Sequence, residues 1–140
     1  GSVSYTDTTV SAGNTYEYQV RAVNAIGQST PSNIASVIIP APPVATSNVS
    51  ATAARSGNRN ARVTLTWTDN SNNETCFNIQ RATDAAFTVN VVNASVGANA
   101  TTYTTGNIAR ATQYYFRVRS FNGQGQSAWV NASPFPITTP

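Results

Sequence analysis

Histidine and lysine are absent from all 140 residues, and cysteine occurs once, at Cys76. Without histidine, Ser-His and Cys-His nucleophile pairs are excluded, as is every metal cage that uses imidazole. Without lysine, lysine-based catalysis and a Lys-Asn isopeptide crosslink are excluded as well. A lone cysteine forms no disulfide within the chain, so stability has to come from packing. Such a residue behaves as a small, inert apolar group, with interchain pairing as the sharper alternative. Charged residues make up only 9% of the chain, against roughly 25% in an ordinary globular protein. Surface polarity must therefore come from Thr, Ser, Asn and Gln, which suits exposed strand faces. No apolar run approaches the roughly 20 residues of a membrane-spanning helix, and no basic-then-apolar leader is visible, so membrane insertion is not expected.

What the chain does have is a repeat. Tyr16-Glu17-Tyr18-Gln19-Val20-Arg21-Ala22-Val23-Asn24 returns 98 residues later as Tyr114-Tyr115-Phe116-Arg117-Val118-Arg119-Ser120-Phe121-Asn122. The same offset pairs Tyr5 with Tyr103, Val10 with Ile108, Gly27-Gln28-Ser29 with Gly125-Gln126-Ser127, Asn33 with Asn131 and Ile39 with Ile137. Two copies of one supersecondary unit are implied, the first lacking its front half.

Period-two alternation dominates within the copies. Val63, Leu65 and Trp67 share one face and Thr64, Thr66 and Thr68 the other; Phe77 and Ile79 alternate with Asn78 and Gln80. Tyr114, Phe116 and Val118 are expected inward, with Tyr115, Arg117 and Arg119 outward, and Tyr16, Tyr18 and Val20 repeat the inward set. This is the signature of half-buried antiparallel strands, and no segment of ten or more residues has a helical period. Turn clusters such as Ser56-Gly57-Asn58 and Asn122-Gly123-Gln124-Gly125 punctuate the strands. Pro40-Ala41-Pro42-Pro43 cannot join a central ladder and reads as a stiff spacer. The expected organisation is residues 1–39 as the last three strands of one module, 40–43 as linker and 44–140 as a complete module. Its strands are placed near 46–53, 62–68, 76–82, 87–92, 101–105, 113–122 and 129–138. Seven short antiparallel strands without helix point to an all-β, immunoglobulin-like sandwich.

Trp67 in the second strand, Phe77 and Ile79 in the third, and Ile108-x-x-Ala111-x-x-Tyr114-x-Phe116-Arg117-Val118-Arg119-Ser120-x-Asn122 resemble the fibronectin type III family. The resemblance implies a corner in which the hydroxyl of a tyrosine, six residues after an apolar one, bonds back to the corner backbone; Val10 and Tyr16 keep that spacing. Where that family often has proline in the corner this chain has Ala111, with Ala12 as its expected counterpart and Gly13 one position beyond. Thr66-Trp67-Thr68-Asp69-Asn70-Ser71-Asn72-Asn73-Glu74-Thr75 looks most like bacterial and archaeal members, which implies a secreted or surface-anchored multidomain parent.

No catalytic, cofactor-binding or metal-binding residue is expected. Asp69 and Glu74 share an Asn-rich loop, a poor scaffold for an acid/base pair. The loop also lacks the central glycine and twelve-residue span of a calcium loop, so turn chemistry accounts for it. Gly123-Gln124-Gly125 opens no helix and is a hairpin rather than a phosphate cradle. Arg55, Arg59 and Arg62 could meet phosphate or anionic polysaccharide, but Gly57 and its polar neighbours read as a solvated turn; no nucleic-acid partner is expected. Trp129 stands where the first copy has Pro31, so it is not a core position of the repeat. Beside Tyr115 or Phe121 it could stack on a sugar ring or a partner side chain, or simply cover a sandwich edge. Asn48, Asn73, Asn93, Asn99 and Asn131 match the N-glycan acceptor pattern, which a chain this rich in Asn, Ser and Thr produces by composition alone.

The function expected is a non-catalytic extracellular or cell-surface spacer and adhesion module, with neighbouring domains or other protein subunits as partners. The alternatives are a filament or matrix subunit that uses the half module for strand complementation, and a polysaccharide-binding accessory domain of a secreted hydrolase. Tyr5, Val10, Tyr16, Tyr18, Val20 and Ile39 would expose an apolar face in isolation, so upstream residues or another polypeptide should complete the half module.

Overall fold

The computed structural model describes residues 3–140, which form strands and turns only. They fall into two units that divide between Ala41 and Pro42, inside the proline-rich tetrad.

In the first unit, β1 (Thr15–Tyr18) pairs antiparallel with β4 (Ala35–Ile38), and β2 (Val23–Asn24) pairs with β3 (Gly27–Gln28) in a hairpin. The Asn24 side-chain oxygen accepts from the backbone N–H groups of Ile26 and Gly27, which closes that turn. Among the described residues of this unit no second layer of strands covers β1, and Tyr5 and Val20 are 84% and 73% exposed.

The second unit is a sandwich. One layer contains β5 (Ser47–Ser56), β6 (Asn60–Thr68), β9 (Thr102–Thr104) and β10 (Ile108–Ala109), the last two pairing successively along β6. The other has the order β8 (Val92–Gly97), β7 (Cys76–Ala82), β11 (Gln113–Asn122), with β12 (Gly125–Gln126), β13 (Val130–Asn131) and β14 (Ile137–Thr138) following one another along the far side of β11. Between the layers Val63, Leu65, Phe77, Ile79, Phe116 and Val118 are almost wholly buried. Each contributes about 1.5–3 kcal/mol relative to exposure. The alternation read from the sequence places them there, since every second residue of a strand faces the same way.

Four expectations are corrected. The fourth strand is not 87–92 but Val92–Gly97. Its intended start is consumed by a turn in which the Asp84 carboxylate accepts from the N–H groups of Thr88 and Val89 and the Thr88 hydroxyl, with Phe87 and Asn90 at positive φ. The last strand, expected as one run over 129–138, is broken: Pro134 and Pro136, both after cis peptide bonds, have no N–H to donate. Between the pieces, Ser133 crosses to the other layer, where its N–H donates to the Val49 carbonyl and its carbonyl accepts from the Ala51 N–H, both at 2.9 Å.

That segment also breaks the repeat. Tyr114 faces Ile137 whereas Tyr16 faces Val37, so Val37 and not Ile39 is the counterpart of Ile137. The second copy has gained two residues after Val130, whose partner Val118 matches the first copy's Ser32 N–H donating to the Val20 carbonyl. Finally, the counterpart of Ala111 is Gly13, not Ala12. The Gly13 N–H donates to the Ile39 carbonyl and the Ala111 N–H to the Thr139 carbonyl, and both residues are left-handed, at φ +83° and +48°. The tyrosine corner closes in the first copy, where the Tyr16 hydroxyl accepts from the Ser11 N–H at 2.9 Å. In the second copy Thr139 ties the corner, its hydroxyl accepting from the Thr112 N–H and donating to the Ala109 carbonyl.

Candidate functional site

The residues on the outer face of β11 are Tyr115, Arg117, Arg119 and Phe121, each between two buried neighbours. Register sets their partners: Arg117 lies opposite Gln80 on β7 and Asn131 on β13, and Arg119 lies opposite Asn78. Trp129 immediately precedes β13, which brings its ring to Arg119 and Arg117. Their guanidinium carbons stand 4.2 and 4.7 Å from the ring centre. Successive outward residues on a strand are about 6.8 Å apart, so the indole fills the space between the two cations. Arg117 also lies 3.9 Å from the centre of Phe87. Phe87 stacks at 6.2 Å with Phe135, which meets Tyr115 edge-on at 4.9 Å. A continuous ladder of aromatic rings and guanidinium groups thus crosses the sheet, and contacts of this kind contribute about 0.5–2 kcal/mol each as they lose water.

Polar groups continue the ladder sideways. Arg117 Nε donates to Gln80 Oε1 at 2.7 Å, and Gln80 Nε2 donates to Asn93 Oδ1 at 3.0 Å. A guanidinium can only donate, so Gln80 must turn its oxygen toward Arg117 and its nitrogen toward Asn93. Asn93 then has its NH2 free of that bond. Burial lowers the pKa of both arginines, with the charge of Arg119 adding to the effect on Arg117. Among the described residues of the second unit no carboxylate is paired with either charge: Asp69 accepts from Ser71, Glu74 from Asn99 and Asp84 from Thr88 and Val89. Arg119 Nε is buried without a hydrogen-bond partner.

The structure brings Trp129 together with the two arginines, not with Tyr115 or Phe121. Tyr115 packs on Phe135, and Phe121, 37% exposed, sits at the hairpin end opposite Cys76 and Gln126. Of the five acceptor-pattern asparagines all are exposed; Asn48 and Asn99 occupy positive-φ positions, Asn73 lies in the Asp69–Glu74 loop, Asn93 is on β8 and Asn131 on β13. Arg55 and Arg59 flank the hairpin between β5 and β6, whose ends pair as Ser56 and Asn60 around Gly57 at φ +78°. In the Asn-rich loop, Glu74 is buried. Burial raises its pKa, but hydrogen bonds from the N–H groups of Asn99 and of Glu74 itself outweigh this and leave it below the ordinary glutamate range.

Sequence reasoning missed Phe87, Phe135 and the pairing of both arginines with Trp129. The available signal was two outward arginines two residues apart on a strand, joined by a short hairpin to a tryptophan.

In the first unit, Tyr5, Asp7, Val10, Tyr18, Val20 and Ile39 line an open groove of about 780 Å3. The Tyr18 hydroxyl donates to Asp7 at its rim.

Comparison with known proteins gives the fibronectin type III domain profile, which matches residues 44–135. No curated relative matches the sequence. Among solved structures, the FN1-FN3 domains of chicken CNTN1 align at 19% identity with a TM-score of 0.59, over 96% of this chain and 44% of that one. Domains A168-A170 of titin align at 23% identity and TM-score 0.58, over 93% and 42%. The fn3 domain of human collagen alpha-1(XX) chain aligns at 21% identity and TM-score 0.53, over 71% and 84%. The chain thus spans less than half the length of the first two.

Proposed function

Since that profile covers more than half of the sequence, the chain belongs to the fibronectin type III family, and from this premise we propose that it is a non-catalytic spacer and adhesion segment of a longer extracellular or cell-surface protein. Modules of this family typically stand beside other domains in multidomain proteins, and the chain aligns with multi-module stretches at both 96% and 93% coverage. The proposal extends to the bacterial or archaeal type, read from the Asn-rich loop, and to the domain plan of 1–39, 40–43 and 44–140.

The observation that carries the reading is the open groove of the first unit. Its wall residues Val10, Tyr18 and Val20 have counterparts Ile108, Phe116 and Val118, all buried in the second unit, Phe116 and Val118 under the layer built on β5 and β6 and Ile108 within it. The second unit therefore supplies the template for what covers the first: strands equivalent to Ser47–Thr68, provided by the parent polypeptide. An apolar face of this size is not stable in water on three strands.

Intact-mass analysis of the native protein, with native mass spectrometry of the 140-residue chain, tests this. The expected result is a parent polypeptide longer than 140 residues and a monomeric chain. An obligate oligomer of a chain of this length would overturn the spacer reading in favour of strand complementation in a filament or matrix.

A further inference from the structure

We propose that the outer face of β7, β8 and β11 carries a binding site for the oxyanion groups of an acidic polysaccharide, with Arg119 as its cation and Trp129, Asn78 and Asn93 as its walls. The residues enclose a shallow groove of about 310 Å3.

Its chemistry is one-sided. The Gln80 oxygen accepts from Arg117 and the Asn93 oxygen from Gln80, so the groups these two lining residues have left unbonded are N–H groups. Arg119 Nε is buried, so the terminal N–H groups of its guanidinium are the donors left for a ligand, and among the described residues of the second unit no carboxylate is paired with either arginine. A surface that offers donors and positive charge while its acceptors are occupied suits a ligand rich in acceptors and negative charge. Polyuronates and sulfated glycans have that character. An extended acidic peptide fits less well: it brings an N–H donor with each residue, whereas the ladders on both sides of β7 and β11 have used the backbone acceptors a peptide would need.

The fold does not require this arrangement. In the first copy the positions of Tyr115, Arg117, Arg119 and Trp129 are Glu17, Gln19, Arg21 and Pro31. One repeat builds its sheet face without the ladder, so the ladder of the other is an addition to the scaffold. Trp129, with both arginines over its ring, acts here by fixing Arg119 rather than as a free stacking platform.

Titration calorimetry of the 140-residue chain against polygalacturonate, dextran sulfate, neutral dextran and polyglutamate tests the site. Binding is expected to one or both anionic glycans, weakening as salt rises through about 0.15 M because the contact is electrostatic. Which of the two binds separates carboxylate from sulfate recognition. Replacing Arg119 by Gln is expected to lower affinity about tenfold, the loss of one charge-assisted contact. N93D, which places a carboxylate at the groove with the Gln80 bond retained, should do the same with an unchanged melting temperature. Binding unaffected by N93D, no binding of either anionic glycan by the folded protein, or equal binding of polyglutamate would each overturn the assignment.

Discussion

Val20 and Val118 occupy the same place in the repeat, yet Val20 is 73% exposed and Val118 is not exposed at all. Both follow an inward aromatic, Tyr18 or Phe116; Val118 lies on β11 and Val20 two residues past the end of β1, in stretches that the corner and the terminal hairpin brace in similar ways. The difference lies in what stands opposite. In the second unit the layer of β5 and β6 closes over the strand; among the described residues of the first there is no such layer. Local pattern thus decides which way a side chain faces, whereas its energetic worth depends on a second layer contributed from far along the chain.

The sharpest way to probe that difference is to truncate the matched pair. F116A should destabilise the second unit by about 3–5 kcal/mol, the cost of emptying a buried aromatic site. Y18A in the 140-residue chain should cost far less, because its ring lines an open groove and loses only partial burial and the bond to Asp7. Urea unfolding of both variants checks the contrast. If the first unit is completed by upstream strands, Y18A should approach F116A in cost; equal costs in the 140-residue chain would show that the groove is already filled.

A second contrast is electrostatic. Glu74 is buried with its carboxylate held by the Asn99 N–H, and its folded-state pKa lies below the ordinary glutamate value. A group lowered on folding stabilises the native state above its unfolded pKa, and that contribution is lost as pH falls through the folded value. The second unit should therefore lose stability below about pH 4.5, and E74Q should flatten the curve there. Asp7 is also lowered, by the Thr9 hydroxyl and N–H and the Tyr18 hydroxyl, but it is exposed and screened. D7N should leave the acid limb nearly unchanged. Urea midpoints between about pH 7 and pH 3 decide it; an E74Q curve parallel to the parent's would remove Glu74 from the account.

How much of this was legible in the sequence follows the same division. The inward faces of β6, β7 and β11 were readable because a period of two is a local property, and the repeat made the first unit readable by comparison. The fourth strand was misplaced because Phe87, Val89 and Val91 alternate as a strand would, while the Asp84 carboxylate captures the backbone donors of that stretch. The break in the last strand was signalled by Pro134 and Pro136, but not the crossing of Ser133 to the other layer, which depends on partners more than 80 residues away. At the candidate site the sequence offered Trp129 and missed its neighbours, since Phe87 and Phe135 reach Arg117 and Tyr115 only through tertiary folding.

The smallest contrast isolates the backbone itself. Gly13 and Ala111 hold one corner position in the two copies, both left-handed, and each donates its N–H to the returning strand. An alanine there costs roughly 1–2 kcal/mol relative to a conformation it prefers, and Ala111 is exposed, so its methyl group gains little in return. A111G should remove that cost, while glycine's extra freedom in the unfolded chain takes back about 0.5–1 kcal/mol. The net expectation is a gain of about half a kcal/mol, seen as a rise of a few degrees in melting temperature. The reverse change, G13A, should destabilise its unit. An added methyl there would meet Ala41 at an ordinary 3.5 Å, so the loss would come from φ and not from crowding. A fall in stability for A111G would mean that the second corner is set by Thr139 rather than by the conformation at residue 111, and that the two copies solve the same turn by different means.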